Sequence, residues 1–494
     1  MAARITVHGH FYQPPRENPW TGVVGEQPGA APFHDWNERV NAEAYRANTR
    51  VALPGAAGER VDVNNFERMS FNVGPTLLEW MRAADRETYD AILGADRAGL
   101  SRCGHGNAIA QAYHHTILPL SPVRDIRTQV RWGLRDFQHR FGRRSEGIWL
   151  PETAADERTI DVLIEEGVRF TILAPRQARA WTDRNGSWVD VADEPLDTTV
   201  PYRCGHSDGS GRYVTVLFYD GAISHAIAFD GAAASAERLM DLFEERVQPG
   251  PCRLVHAATD GETYGHHHKF GDIGLGYALF VEAEQRGLGV VNYGTFLADC
   301  PAERWVQLPA AGTSWSCVHG VGRWREDCGC FTGGEPGRNQ KWRAPLRRAL
   351  EVVRQAADDA YERLGREVFE HPWRARHRYV DVVCGATSLE EFVAAEGALP
   401  GAPLRRAELL LELQRNAMSM FTSCGWFFND LAGIETIQVL LYAGRTLDLL
   451  EQLAEGRAGP VEDRFLSILG EAVSNDPGAG TGADIYKRAV AGAA

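Results

Sequence analysis

The stretch "CRLVHAATDGETYGHHHKFGD", Cys252–Asp272, decides the fold. Its first half is a short, almost continuously apolar run, the pattern of a strand buried on both faces. Asp260 follows at once, Gly261 lets the backbone turn, and Glu262 comes next. Runs of the same kind recur upstream and downstream: "RITVHG" (4–9), "EGIWLP" (146–151), "RFTILAP" (169–175), "YVTVLFYD" (213–220) and "GVVNYGTF" (289–296). Helical patterns separate them, among them "GPTLLEWMRAADRETYDAILGA", "DERTIDVLIEEG" and "AERLMDLFEERV". Strands alternating with helices give a parallel sheet, and this many units make a barrel or a large open sheet. Polar chemistry sits at the C-terminal ends of three runs, where α/β folds place their sites.

The pattern changes after Pro301. A Trp- and Cys-rich stretch, "SWSCVHGVGRWREDCGCFTGGEPGRNQKWR", leads into a helix opened by Pro345 with Leu346, Leu350, Val353, Ala357, Ala360 and Leu364 on one stripe. Further helical segments follow. The fold class expected is therefore α/β for residues 1–305, a catalytic domain, then a mainly α-helical domain over 306–494. The closing "DPGAGTGADIYKRAVAGAA" starts a new capped element and stops, which reads as a chain cut short or a lost helical continuation.

Bulk properties narrow the function. The chain has 494 residues, 44% hydrophobic and 24% charged, with a net charge of −14. Without a basic run there is no footprint for nucleic acid or anionic lipid. No apolar segment reaches the ~20 residues of a membrane span. Nine cysteines at irregular spacing fit a reduced compartment better than a disulfide framework, so a cytoplasmic protein is expected.

Asp260 and Glu262, two apart on an extended strand end, face one side. Carboxylates that close repel, and one is held protonated towards neutral pH, as a general acid requires. Glu152 follows Trp149, Leu150 and Pro151; the proline stiffens the backbone, which suits a nucleophile, although an acidic residue opening the next helix reads the same way. His8 and His10 share one face of the first strand, and His105 lies between two glycines. Neutral imidazoles there suit sugar hydroxyls or satisfied core positions. His266, His267 and His268 cannot all aim at one point, which disfavours a metal; one of them can bond a substrate hydroxyl. Cys317, Cys328 and Cys330, with Cys424 far downstream, are read either as a small metal cluster or as buried thiols; the C-x-C pair lacks ordinary zinc spacing. Trp315, Trp324, Trp342 and Trp426 are read either as a sugar-stacking surface or as an apolar interface.

Taken together, "HGHFYQP" (8–14), "CGHGN" (103–107), "GIWLPE" (147–152), "ATDGETYGHH" (258–267) and "GVGRW" (320–324) resemble, in order, the motifs of glycoside hydrolase family 57, in its bacterial branch with a helical domain of unknown function. The first motif departs from better-known members: Phe11 and Tyr12 stand between His10 and Gln13. The resemblance implies a distorted (β/α)7 barrel and a retaining mechanism on α-glucans without an obligatory metal or cofactor. It implies Glu152 as nucleophile, Asp260 as acid/base, and His10, His105 and Trp149 around the sugar. Glu262, His266 and Trp324 complete the expected substrate-binding set. The expected partner is an α-glucan or oligosaccharide, with no nucleic acid and no membrane. Two other readings are a metal-dependent hydrolase or deacetylase built on Asp260 with His8, His10, His105 and His266, and a non-catalytic glucan-binding protein.

Overall fold

The computed structural model describes residues 3–55, 58–332, 337–397 and 403–493. The chain divides into two compact units. The first comprises residues 1–13, 26–111 and 140–310, and the second 14–25, 112–139 and 311–494. Two segments from within the first 305 residues thus group with the second unit.

Seven parallel strands form the first unit's barrel: β1 (Ala3–Phe11), β2 (Ser70–Val73), β3 (Ala110–Gln111), β4 (Gly147–Trp149), β5 (Phe170–Leu173), β6 (Tyr213–Phe218) and β7 (Leu254–Asp260). β1 lies between β7 and β2, with His10 opposite Asp260 on one side and Asn72 on the other. β2 meets the β3 segment through Phe71 and Ala108. From β3 the order runs β4, β5, β6. The backbone N–H of Asp220, donating to the carbonyl of His256 (2.7 Å), links the β6 end to β7. The ring is distorted because β2 pairs only the upper half of β1, while Leu288–Val290 pairs its lower half. Ile5, Val7, Ile148, Ile172, Val216 and Ala257 are sealed from solvent, as strands covered on both faces require.

Three local readings change. The helix expected from Gly74 to Ala95 is two helices, Pro75–Ala84 and Arg86–Cys103. Asp85 leaves helical geometry between them and caps the second by accepting from the Thr88 N–H. The expected strand over 289–296 ends at Val290, because Asn292 caps a helix over Tyr293–Asp299. Cys252 and Cys300 form a disulfide, so one pair departs from the all-thiol reading.

In the second unit, the helices Arg343–Gly365, Leu404–Ser419, Ile434–Leu453, Ala458–Leu469 and Gly482–Ala493 pack together. The stripe Leu346, Leu350, Val353, Ala357, Ala360 and Leu364 is buried. Pro345 lies in the first turn, where its missing N–H costs no hydrogen bond. Trp324, Trp342 and Trp426 are core residues here, not a stacking surface. Among the described residues no helix is long and apolar enough to cross a membrane.

Candidate active site

His10, Glu152 and Asp260 lie at the C-terminal ends of β1, β4 and β7. Glu152 follows β4 in a tight turn, Pro151–Thr153, and takes left-handed backbone angles (φ 58°, ψ 21°). Thr153 is also left-handed, at φ 49°. Two consecutive non-glycine residues in that region cost energy and persist only when their surroundings over-determine them. Gln177 supplies the restraint. Its Oε1 accepts from the Thr153 hydroxyl (2.7 Å) and the Ala174 N–H (2.9 Å), and its Nε2 donates to the Thr153 carbonyl (2.8 Å). The helix that follows is capped by Asp156, whose carboxylate accepts from the Thr159 N–H, so Glu152 has no capping duty. The carboxylate is buried, 8% exposed, in a strained turn whose geometry serves no helix.

Asp260 ends β7 directly opposite His10. Solvent reaches it, yet the surrounding protein holds its pKa well above the usual carboxylate value. Burial is the largest cause, followed by the charges of Glu262 and then Glu152. The three carboxylates therefore lie within electrostatic reach, although Glu152 comes from a distant part of the chain.

Glu262 sits in the turn after β7, buried, with Oε1 accepting from the Tyr12 N–H (3.0 Å) and the Tyr45 hydroxyl (2.5 Å). Burial pushes its pKa up to about 7, against the pull of those donors. With an oxygen committed to two donors, its carboxyl group is held in place beside Asp260.

His10 is buried and stacked between Tyr12 (6.0 Å between ring centres) and Trp149 (5.1 Å). Asn72 orders the imidazoles: its Oδ1 accepts from His8 Nε2 (3.1 Å), and its Nδ2 donates to His10 Nδ1 (2.9 Å) and to Gln111 Oε1 (2.8 Å). Burial lowers the pKa of His8 and of His10 to about 3, so both are neutral. His10 then keeps its proton on Nε2. Trp149 is sealed from solvent beneath the two rings, stacked on His8 as well (4.9 Å), and acts as their floor.

The other sequence-derived residues stand elsewhere. His105 precedes β3 and bonds Glu146, which precedes β4 (2.8 Å), so it belongs to the N-terminal end of the strands, opposite the carboxylates. His266 is paired with Glu43 at the turn beyond β7. Trp324 belongs to the second unit, fully buried, with its indole N–H on the Ser423 carbonyl (3.1 Å). Among the described residues, no group of converging metal-ligand atoms includes Asp260, because His105 and His266 hold other carboxylates. Sequence reasoning missed Tyr12, Tyr45, Asn72, Gln111 and Gln177. The stretches "HFYQP" and "FNVGP" contain two of them, Tyr12 and Asn72, at strand ends, and that placement was the available signal.

Comparisons with known proteins agree with this architecture. The family model described as glycosyl hydrolase family 57 matches residues 34–309, and a domain of unknown function, DUF3536, matches 338–494. No curated protein sequence matches significantly. The fold resembles an exo-type maltose-forming amylase from Pyrococcus sp. ST04 at 16% identity and a TM-score of 0.73, covering 95% of this chain and 83% of that one. It resembles a branching enzyme from Thermococcus kodakaraensis at 18% identity and a TM-score of 0.56, covering 96% and 97%. A 4-alpha-glucanotransferase from Thermococcus litoralis is similar at 15% identity and a TM-score of 0.55, covering 92% of this chain and 60% of that one. With its model spanning more than half the sequence and the carboxylates at the expected end of the barrel, the chain belongs to glycosyl hydrolase family 57.

Proposed function

We propose that the chain is a retaining enzyme that cleaves or transfers α-glycosidic bonds of α-glucans, of the amylase, 4-α-glucanotransferase or branching type. The observation that carries this reading is the gathering of Glu152 and Asp260, from distant parts of the chain, at the C-terminal ends of the barrel strands and within electrostatic reach of each other. Glu152 attacks the anomeric carbon while Asp260 protonates the departing glycosidic oxygen, leaving a glycosyl ester on Glu152. Esterification removes the Glu152 charge that raised Asp260. Asp260, now a stronger acid and ionised, deprotonates water or an acceptor hydroxyl, which displaces Glu152 with a second inversion. The two carboxyls belong ~5–5.5 Å apart in such a mechanism. The neutral His10, its proton on Nε2, donates to a sugar hydroxyl. Trp149 and Asn72 hold it in place. A cytoplasmic site of action stays part of the proposal, with seven of the nine cysteines outside the disulfide.

Incubation with maltoheptaose and a panel of α-glucans, followed by product sizing, tests it. Shorter products, redistributed chain lengths or new branches support the reading. Unchanged substrates across the panel overturn it.

A further inference from the structure

The Cys-rich stretch of the second unit is not used by the carbohydrate chemistry, and it is organised. Cys317, His319, Cys328 and Cys330 each point one ligand atom inward, all four within 4.8 Å of one another. Cys317 Sγ lies 3.9 Å from Cys328 Sγ and 3.7 Å from Cys330 Sγ, and Cys330 Sγ lies 3.5 Å from His319 Nδ1. Sulfurs ~2.3 Å and a nitrogen ~2.0 Å from one tetrahedral ion stand about 3.8 Å (S to S) and about 3.5 Å (S to N) apart. The measured separations match that figure and are far too long for disulfides. Cys424, the fourth member suggested by sequence, is not among the converging atoms; His319 is.

Donors and a cation lie around the sulfurs. The backbone N–H of Cys330 donates to Cys328 Sγ, and that of Val318 donates to Cys330 Sγ. The buried Arg343 donates Nη1 to the Cys330 carbonyl (2.8 Å), so a cation faces a centre that three thiolates and one divalent ion leave with a net negative charge. Residues 311–332 contain only one short turn of helix, Gly322–Trp324, and so draw little order from secondary structure. Closing 317–319 onto 328–330 would fix that turn and its buried Trp324.

We propose that Cys317, His319, Cys328 and Cys330 form a structural zinc site. Three sulfurs and one imidazole are a zinc donor set, and four protein ligands leave no open position for catalysis. On binding, the three thiols lose their protons to solvent and Zn2+ takes the imidazole as a neutral ligand.

The test is elemental analysis of the full chain, purified under reducing conditions without chelator and dialysed against trace zinc, with X-ray absorption at the zinc edge. The expected result is about one zinc per chain, bound by three sulfurs near ~2.3 Å and one nitrogen. The Cys328→Ser/Cys330→Ser pair, checked for folding by circular dichroism, should retain under about a tenth of that zinc. His319→Ala, the milder variant, should keep the fold and lose zinc to a chromophoric chelator at least ~10-fold more readily. Cys103→Ser, in the first unit, should still hold one. Less than about a tenth of an equivalent in the unsubstituted chain, zinc retained by the folded double variant, or iron with bridging sulfide in its place would overturn the assignment.

Discussion

Thr153 and Gln177 form a closed pair: the hydroxyl of Thr153 donates to the Gln177 amide oxygen at 2.7 Å, and the amide nitrogen donates back to the Thr153 carbonyl at 2.8 Å. The pair fastens the left-handed turn that carries Glu152. Gln177→Leu leaves the Thr153 carbonyl and the Ala174 N–H without that partner. Buried groups so orphaned cost about 1–3 kcal/mol each. The variant should unfold at lower denaturant, and kcat should fall about 10–100-fold with KM little changed, since a small misplacement of a reacting group is that costly. Equal kcat in the two proteins would show that the turn needs no such fastening.

Glu262 links pH to stability. Its folded pKa, about 7, lies above its ordinary value of 4.5, so the folded state binds the proton more tightly. Its contribution is fully present below pH ~4.5 and is lost as pH rises through ~7. The difference amounts to roughly 3 kcal/mol. Glu262→Gln keeps an oxygen for Tyr12 and Tyr45 and cannot ionise. Its denaturation midpoint should therefore fall less than that of the unsubstituted protein between pH 4.5 and 7.5. A parallel pH dependence for both proteins would place the raised pKa elsewhere.

On the proposed mechanism Asp260 sets the basic limb of activity. It must be protonated to act first as an acid, and its pKa is raised by burial and by Glu262 and Glu152. The kcat/KM profile should hold above the ordinary carboxylate range and then fall as pH rises. Glu262→Gln removes the larger of the two neighbouring charges, so the falling limb should move to lower pH. A limb that stays put would assign it to another group. Asp260→Asn should lose about 10²–10⁴-fold in turnover, the range for a general acid/base.

His105 and His10 give a contrasting pair. His105 lies before β3, bonded to Glu146, while His10 lies at the strand end opposite Asp260. His10→Ala should lower kcat/KM by about 10-fold or more, since it removes a donor and a stacking partner of Trp149. His105→Ala should leave kinetics within about twofold and cost only a little stability, one hydrogen bond being worth about 0.5–1.5 kcal/mol net. Similar kinetic losses in both variants would return His105 to the sugar site.

Much of this was legible in the chain. Buried parallel strands write themselves as apolar runs, so β1, β4, β5, β6 and β7 stood out. β2 and β3, four and two residues long, did not, since a strand that short has no periodicity to read. Asp260 and Glu152 were visible because each follows such a run. For Trp315, Trp324, Trp342 and Trp426 a stacking surface and an apolar interface stayed open alternatives, because sequence gives residue type without burial. The position of His105 was hidden for a related reason: a motif fixes neighbours along the chain, not which end of a two-residue strand they occupy. The Asn72 and Gln177 networks join segments far apart in the chain, and nothing local marks them.

The most direct test of the central claim is peptide mapping of the intermediate trapped with a 5-fluoro-α-glucosyl fluoride, which forms the glycosyl ester faster than it is resolved. The account predicts one hexose-derived adduct per chain, on the peptide holding Glu152 and absent from Glu152→Gln. An adduct on a different carboxylate, or turnover with inverted product and no adduct, would contradict it.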